Sequence, residues 1–173
     1  MGIPYTSKAI ANKFIELAKE EARSDLSPMK LQKLVYYAHA WFMAFTNKEL
    51  IKEEIQAWRF GPVIPDIYHE FKEYGNSNIT SFATELNFEK SKLELVTPVV
   101  DADDEDANAI INEVWKVYKD FTPIQLSNAT HAKGSPWEVV ASSYGSELPK
   151  NIEIPNSLIK DIFKKRLEKQ KDE

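Results

Sequence analysis

Residues 27–75, SPMKLQKLVYYAHAWFMAFTNKELIKEEIQAWRFGPVIPDIYHEFKEYG, decide the fold. Ser27 followed by Pro28 is a strong helix start: a hydroxyl that can cap free N–H groups, then a proline whose missing N–H costs nothing in the first turn. From there Leu31, Leu34, Val35, Ala38, Phe42 and Phe45 recur at helical spacing on one stripe. Tyr36, Tyr37, Ala40, Met43 and Ala44 lie outside that stripe and are themselves largely apolar. A helix apolar on most sides is buried, so residues 28–46 read as the central helix of the molecule. Thr46-Asn47-Lys48 ends it in a polar turn. Ile55 to Phe60 is short and reads as extended. Gly61-Pro62 then breaks the chain, and Pro65 opens a third helix that runs to about Tyr74 and stops at Gly75-Asn76. The stretch thus holds a rigid Trp-Arg-Phe-Gly-Pro turn between two helix formers.

Outward from it, helix signals dominate. Ser7 is expected to cap a first helix with Ile10, Phe14, Leu17 and Ala18 on one face, ending near Arg23. Ser77 to Leu86 reads as a polar connection with a few apolar anchors and room for one helical turn. Leu93 to Val99 alternates and predicts a short strand. Asp101 to Asp106 holds five carboxylates. Ile110, Ile111, Val114, Val117, Tyr118 and Phe121 follow at helical spacing, and acids at a helix N-terminus oppose its dipole. Thr122-Pro-Ile-Gln125 and Ser135-Pro-Trp-Glu138 are successive capping boxes, each with proline at the first helical position. They predict helices over 123–132 and 136–142. A loop over 143–154 leads to a last helix from Asn156 or Ser157, carrying Leu158, Ile159, Ile162, Phe163 and Leu167. Its charged tail, 164–173, is expected to fray. With no internal repeat, glycine-rich linker or heptad run, the expectation is a mainly α fold. Residues 1–173 would form a compact single-domain helical bundle around the buried central helix 28–46, with a small β element and a core from about 6 to 163.

Composition narrows the function. Hydrophobic residues make up 43% and aromatics 12%, enough for a real core and too many for a disordered chain. A net charge of -5 argues against a nucleic-acid binder, which needs a basic face. Lys164, Lys165, Arg166, Lys169 and Lys171 form a short basic end, but Glu168, Asp172 and Glu173 dilute it, so it reads as a solvated helix face. There is no cysteine, hence no disulfide, thiol catalysis or cysteine-bound zinc. No apolar run approaches the ~20 residues that span a bilayer, and the N-terminus lacks a signal-peptide core. The expected location is cytoplasmic. Met1-Gly2 with Thr6 matches a myristoylation pattern, and Asn78-Ile79-Thr80 and Asn128-Ala129-Thr130 match glycosylation sequons. Both patterns are short and recur by chance.

No catalytic or cofactor kit is recognisable. The histidines, His39, His69 and His131, form no HExxH. Ser127, Ser135 and Ser142 lie near His131, but no Gly-x-Ser-x-Gly elbow is present. A hydrolase using His131 with a serine or carboxylate is the weakest reading. The five glycines are scattered, which argues against a phosphate loop, and the acidic run lacks the glycine and downstream glutamate of an EF-hand. The turn at Trp58–Pro62 has two readings. Tryptophan, arginine and phenylalanine are common interface anchors, and Gly61-Pro62 can fix their geometry. Alternatively Trp58 and Phe60 fill the core while Arg59 pairs with a carboxylate, which sequence alone favours. Trp137 likewise reads first as packing.

Three blocks carry a resemblance across roughly Thr6 to Phe163: Met29-Lys-Leu-Gln-Lys-Leu-Val-Tyr-Tyr-Ala38 continuing to Trp41; Ile55-Gln-Ala-Trp-Arg-Phe-Gly-Pro-Val63 through Ile67-Tyr68; and Leu126-Ser127 with Thr130-His131 and Pro136-Trp137. In order and spacing they resemble the Panacea domain of the SocA-like antitoxins, a family that includes phage-associated proteins called GepA. The resemblance implies a non-enzymatic antitoxin that neutralises a toxin, encoded by a neighbouring gene, through direct protein contact. It implies alternatively an adaptor that delivers the toxin to a AAA+ protease. Some members add a helix-turn-helix for DNA; this chain has no spare length for one. The positions carried over are Lys33, Tyr37, Trp58, Arg59, Phe60, Gly61, Pro62, His131 and Trp137. They serve either the fold or the partner.

Overall fold

The computed structural model describes residues 3–89 and 91–172. Met1 and Gly2 of the myristoylation pattern, and Glu173 of the tail, lie outside the described residues. Among those described, seven α-helices and two small antiparallel sheets make a mainly α fold.

Helix α1 is Ser7–Glu20, and its cap is Thr6, whose side chain accepts from Ala9 N–H. Ser7, the expected cap, is one residue too late. It is fully buried, and its N–H donates to Glu53 Oε2 at 2.8 Å. The helix also stops short of Arg23, because Ala22 turns to φ 52°. Helix α2 is Pro28–Thr46, with Ser27 accepting from Lys30 N–H and Asn47 closing the end in a left-handed turn. Fourteen of its residues are buried, and it packs against α1 and, further along the chain, against four helices and one strand. Phe45 departs from the expected stripe and is 54% exposed, bordering a groove with Trp41, Ile110, Val117 and Gln170.

Strands β1 (Gln56–Trp58) and β2 (Gly61–Val63) pair antiparallel, Trp58 opposite Gly61. Gly61-Pro62 therefore does not break the chain; it starts the return strand. Proline is tolerated there because β2 is an edge, and the other side of β1 is taken by residues 152–154. Ala57 N–H donates to Ile152 O and Ile154 N–H to Ile55 O. Helix α3, Pro65–Phe71, and a 3₁₀ turn, Lys72–Tyr74, follow and end at Gly75.

Strand β3, Glu85–Glu89, was not expected from the sequence. It pairs with β4, Lys92–Val96, where one strand was foreseen, and no helical turn forms over 77–86. The buried Asn12 of α1 ties the foot of this second hairpin. It donates to Ala83 O and Pro98 O, and accepts from Ala83 N–H at 2.7 Å.

Helix α4, Glu105–Tyr118, starts inside the acidic run with Asp104 as cap. Helix α5, Pro123–Thr130, closes its capping box with Gln125. Helix α6, Pro136–Ser142, keeps only half of the second box. Ser135 accepts from Glu138 N–H, but the Glu138 carboxylate takes the N–H of Gly134, one residue earlier. Helix α7, Asn156–Lys171, runs through the tail that was expected to fray. Its Phe163 is fully buried with an edge against Tyr36 and Trp41, and the Arg166 guanidinium lies over the same ring.

Candidate protein-interaction site

The turn between β1 and β2 is held from behind by side chains of three helices. Trp137 Nε1–H of α6 donates to Trp58 O at 2.7 Å. His131 Nε2, at the end of α5, lies 3.1 Å from Arg59 O. Ser127 Oγ donates to Phe60 O at 2.9 Å, and Lys33 Nζ of α2 donates to Pro62 O at 3.0 Å. Next to Lys33, Gln32 exchanges two hydrogen bonds with the main chain of Ile64, two residues beyond Pro62. Ser127 and His131 reach the hairpin together because residues four apart share a helix face. Their own geometry is fixed in turn: His131 Nδ1 lies 2.6 Å from Ser127 O, and its ring packs on Trp137 with centroids 3.9 Å apart.

Gly61 is the closest point of approach. Its φ of 113° favours glycine, and a Cβ there would lie 2.6 Å from Thr130 Oγ1 and 2.9 Å from Lys33 Nζ. Lys33 is 1% exposed, and among the described residues it has no ion-pair partner. Burial pushes its ammonium down to about 7.

The same hairpin presents its tip to solvent. Phe60 is 58% exposed, and Arg59, also exposed, has its guanidinium 5.4 Å from the Phe60 ring centre. Among the described residues Arg59 makes no ion pair. The core-filling reading therefore fails for Phe60 and Arg59, whereas Trp58 is half-buried and donates to Gln56 Oε1. Tyr68 of α3 stands edge-on to Trp58 at 4.8 Å and is 41% exposed, so it extends the aromatic tip.

Eight of the nine sequence-derived positions thus converge here. Tyr37 does not: it stacks on Tyr118 at 4.4 Å inside the core, where burial raises its pKa. His39 is buried, with Nε2 on Asn156 Oδ1 and Nδ1 accepting from Ile51 N–H. His69 is exposed on α3, and no cluster of metal-ligating side chains forms among the described residues. Both ring nitrogens of His131 face main-chain oxygens, and the Ser127 and Ser135 hydroxyls donate to the Phe60 and Thr130 carbonyls. These groups position backbone. Sequence reasoning overlooked Gln32 as a clamp and Tyr68 as part of the tip. Gln32 gave a signal, a polar residue on a helix expected to be buried on most sides.

A family model described as antitoxin SocA-like, Panacea domain, matches residues 31–138, a span that runs from the Gln32 clamp to Trp137. Antitoxin SocA of Caulobacter vibrioides is 31% identical over 160 residues, covering 91% of this chain and 82% of that protein. No solved structure matches. No helix among the described residues is long and apolar enough to cross a membrane. The three sequence blocks, the hairpin they assemble and these two matches lead to one conclusion: the chain belongs to the SocA-like antitoxins of the Panacea domain family.

Proposed function

We propose that this chain is a non-enzymatic, cytoplasmic antitoxin that neutralises a cognate protein toxin by binding it directly, with the tip of the first hairpin as anchor. The supporting observation is the contrast within that hairpin. Four carbonyls are fixed from behind by Lys33, Ser127, His131 and Trp137, while Arg59 and Phe60 point into solvent. A rigid, preorganised aromatic and arginine tip loses little entropy on binding, and such residues dominate interface energies. A stable complex buries roughly 800 Å² per partner, a small fraction of the 9822 Å² accessible here. Toxin occlusion then needs no chemistry from this chain.

The partner is the product of a neighbouring gene, and co-expression tests the reading. The wild-type chain should relieve the toxicity of that product. Phe60→Ala should weaken the complex by about 2 kcal/mol, roughly thirty-fold, without lowering the melting temperature. A neighbour that is harmless, or toxicity that this chain leaves untouched, refutes the antitoxin role. Toxin that disappears only when a AAA+ protease is present would mark the chain as an adaptor instead.

A further inference from the structure

The second hairpin has its amphipathicity inside out. The register sets Leu86 opposite Leu95 and Phe88 opposite Leu93, so these four share one face. All four are 62–70% exposed. The other face carries Glu85, Asn87 and Glu89 on β3, with Val96, Glu94 and Lys92 opposite them. On that polar face Glu85, Asn87 and Val96 are half-buried. A two-stranded ribbon stabilised only by its own domain would turn the leucines inward and the carboxylates outward.

The ribbon is firmly rooted. Besides Asn12, Lys8 Nζ donates to Glu70 Oε2 and to Thr84 O, and Glu70 Oε1 accepts from Thr84 N–H. At the foot, Phe82 and Val99 are 40% and 66% exposed and line a groove with Asn12, Lys13 and Glu16 of α1. The four facing side chains expose on the order of 500 Å², enough to mark an interaction site.

Charge decides what covers them. Among the described residues neither outer edge of the ribbon pairs with another strand, and Glu85 and Glu89 have no ion-pair partner. A second copy added antiparallel along β3 about Asn87 would set each Glu85 opposite the copy's Glu89. Like charges directly opposite are destabilising, and because strand β3 carries no basic residue, no pairing of β3 with the β3 of a second copy brings a positive charge to Glu85 or Glu89. A basic strand fits well.

We propose that the open edge of β3 takes up an extended segment of a partner protein by strand addition. Alternate residues of that segment are apolar, covering Leu86 and Phe88, and those between are Lys or Arg, meeting Glu85 and Glu89. This surface is separate from the first hairpin, and the proposal stands whether or not the partner is a toxin.

The test uses the intact chain and three blocked nine-residue peptides followed by fluorescence anisotropy: alternating valine and lysine, the same pattern with glutamate for lysine, and the valine–lysine composition in permuted order. The alternating basic peptide should bind at least tenfold more tightly than the other two. Phe88→Ser should weaken it at least tenfold with an unchanged melting temperature. The Glu85→Lys/Glu89→Lys double variant should reverse the preference towards the glutamate peptide. Equal binding of all three peptides, no binding of the basic one, or indifference to either variant overturns the proposal. So does sedimentation showing a wild-type dimer that Phe88→Ser dissolves, which would assign the face to a second copy.

Discussion

Lys33 sits where a cation is expensive. Folded, its ammonium is pushed down to about 7; unfolded, it holds its proton to about 10.4. Between those values the unfolded chain binds more protons, so this residue makes stability rise with pH; below pH 7 both states are protonated and its contribution is flat. Lys33→Met removes the titration along with the bond to Pro62 O. Urea unfolding of both proteins at pH 6, 7.5 and 9 should show the difference moving in favour of the wild type above pH 7, by up to about 1.4 kcal/mol per pH unit. A pH-independent difference would mean that the amine is hydrated. Gly61 makes the complementary case. Gly61→Ala meets a positive φ and two side chains within 3 Å, so it should cost about 2–4 kcal/mol, read as a lowered urea midpoint. Both positions could be singled out in the sequence, as members of motif blocks. Their meeting could not. Lys33 and Pro62 are 29 residues apart, and Trp58 and Trp137 are 79 apart. No local periodicity encodes such an encounter.

Helices with chemically marked ends were legible because their signals are local. Ser27-Pro28, Thr122-Pro123 and Ser135-Pro136 each place an acceptor and a proline where the first turn needs them. The two later caps differ in what they hold. The Thr122 side chain is exposed and serves α5 alone, accepting from Gln125 N–H. Ser135 is 2% exposed; it accepts from Glu138 N–H and also donates to Thr130 O, tying α6 to the helix that carries Ser127 and His131. Thr122→Ala should therefore cost about 1 kcal/mol, and Ser135→Ala about 2 kcal/mol, because it also leaves a buried carbonyl unpaired. Thermal or urea melts compare them, and equal costs would show that the tie to α5 carries no energy. Strand β3 was missed for the opposite reason. Glu85, Asn87 and Glu89 have poor strand propensity, and only pairing with β4 makes the alternation of Leu86 and Phe88 a strand. Helix α7 continues through the charged residues 164–171, where the buried Phe163 ring anchors it and Arg166 covers that ring.

At the scale of the whole molecule, α2 is the shared wall. Its N-terminal turns supply Gln32 and Lys33 to the first hairpin, and its middle supplies Tyr36, Tyr37 and Trp41 to α4 and α7. Neither part can lose its packing without stripping a helix that the other needs. We therefore propose that the described residues fold as one cooperative unit. The four tryptophans allow a direct test, since they fall into two groups. Trp58 and Trp137 report on the latched hairpin; Trp41 reports on Phe163, and Trp115 packs against Phe14 and bonds Glu21. In a Trp41→Phe/Trp115→Phe variant the fluorescence sees only the hairpin, and in a Trp58→Phe/Trp137→Phe variant only the α4 and α7 side. Each substitution pair changes stability, so each fluorescence curve is compared with the far-ultraviolet circular dichroism of the same protein. One cooperative unit requires the two midpoints to coincide within each variant. A hairpin signal lost at lower urea than the helical signal would divide the molecule, and would place the proposed binding tip on the less stable part.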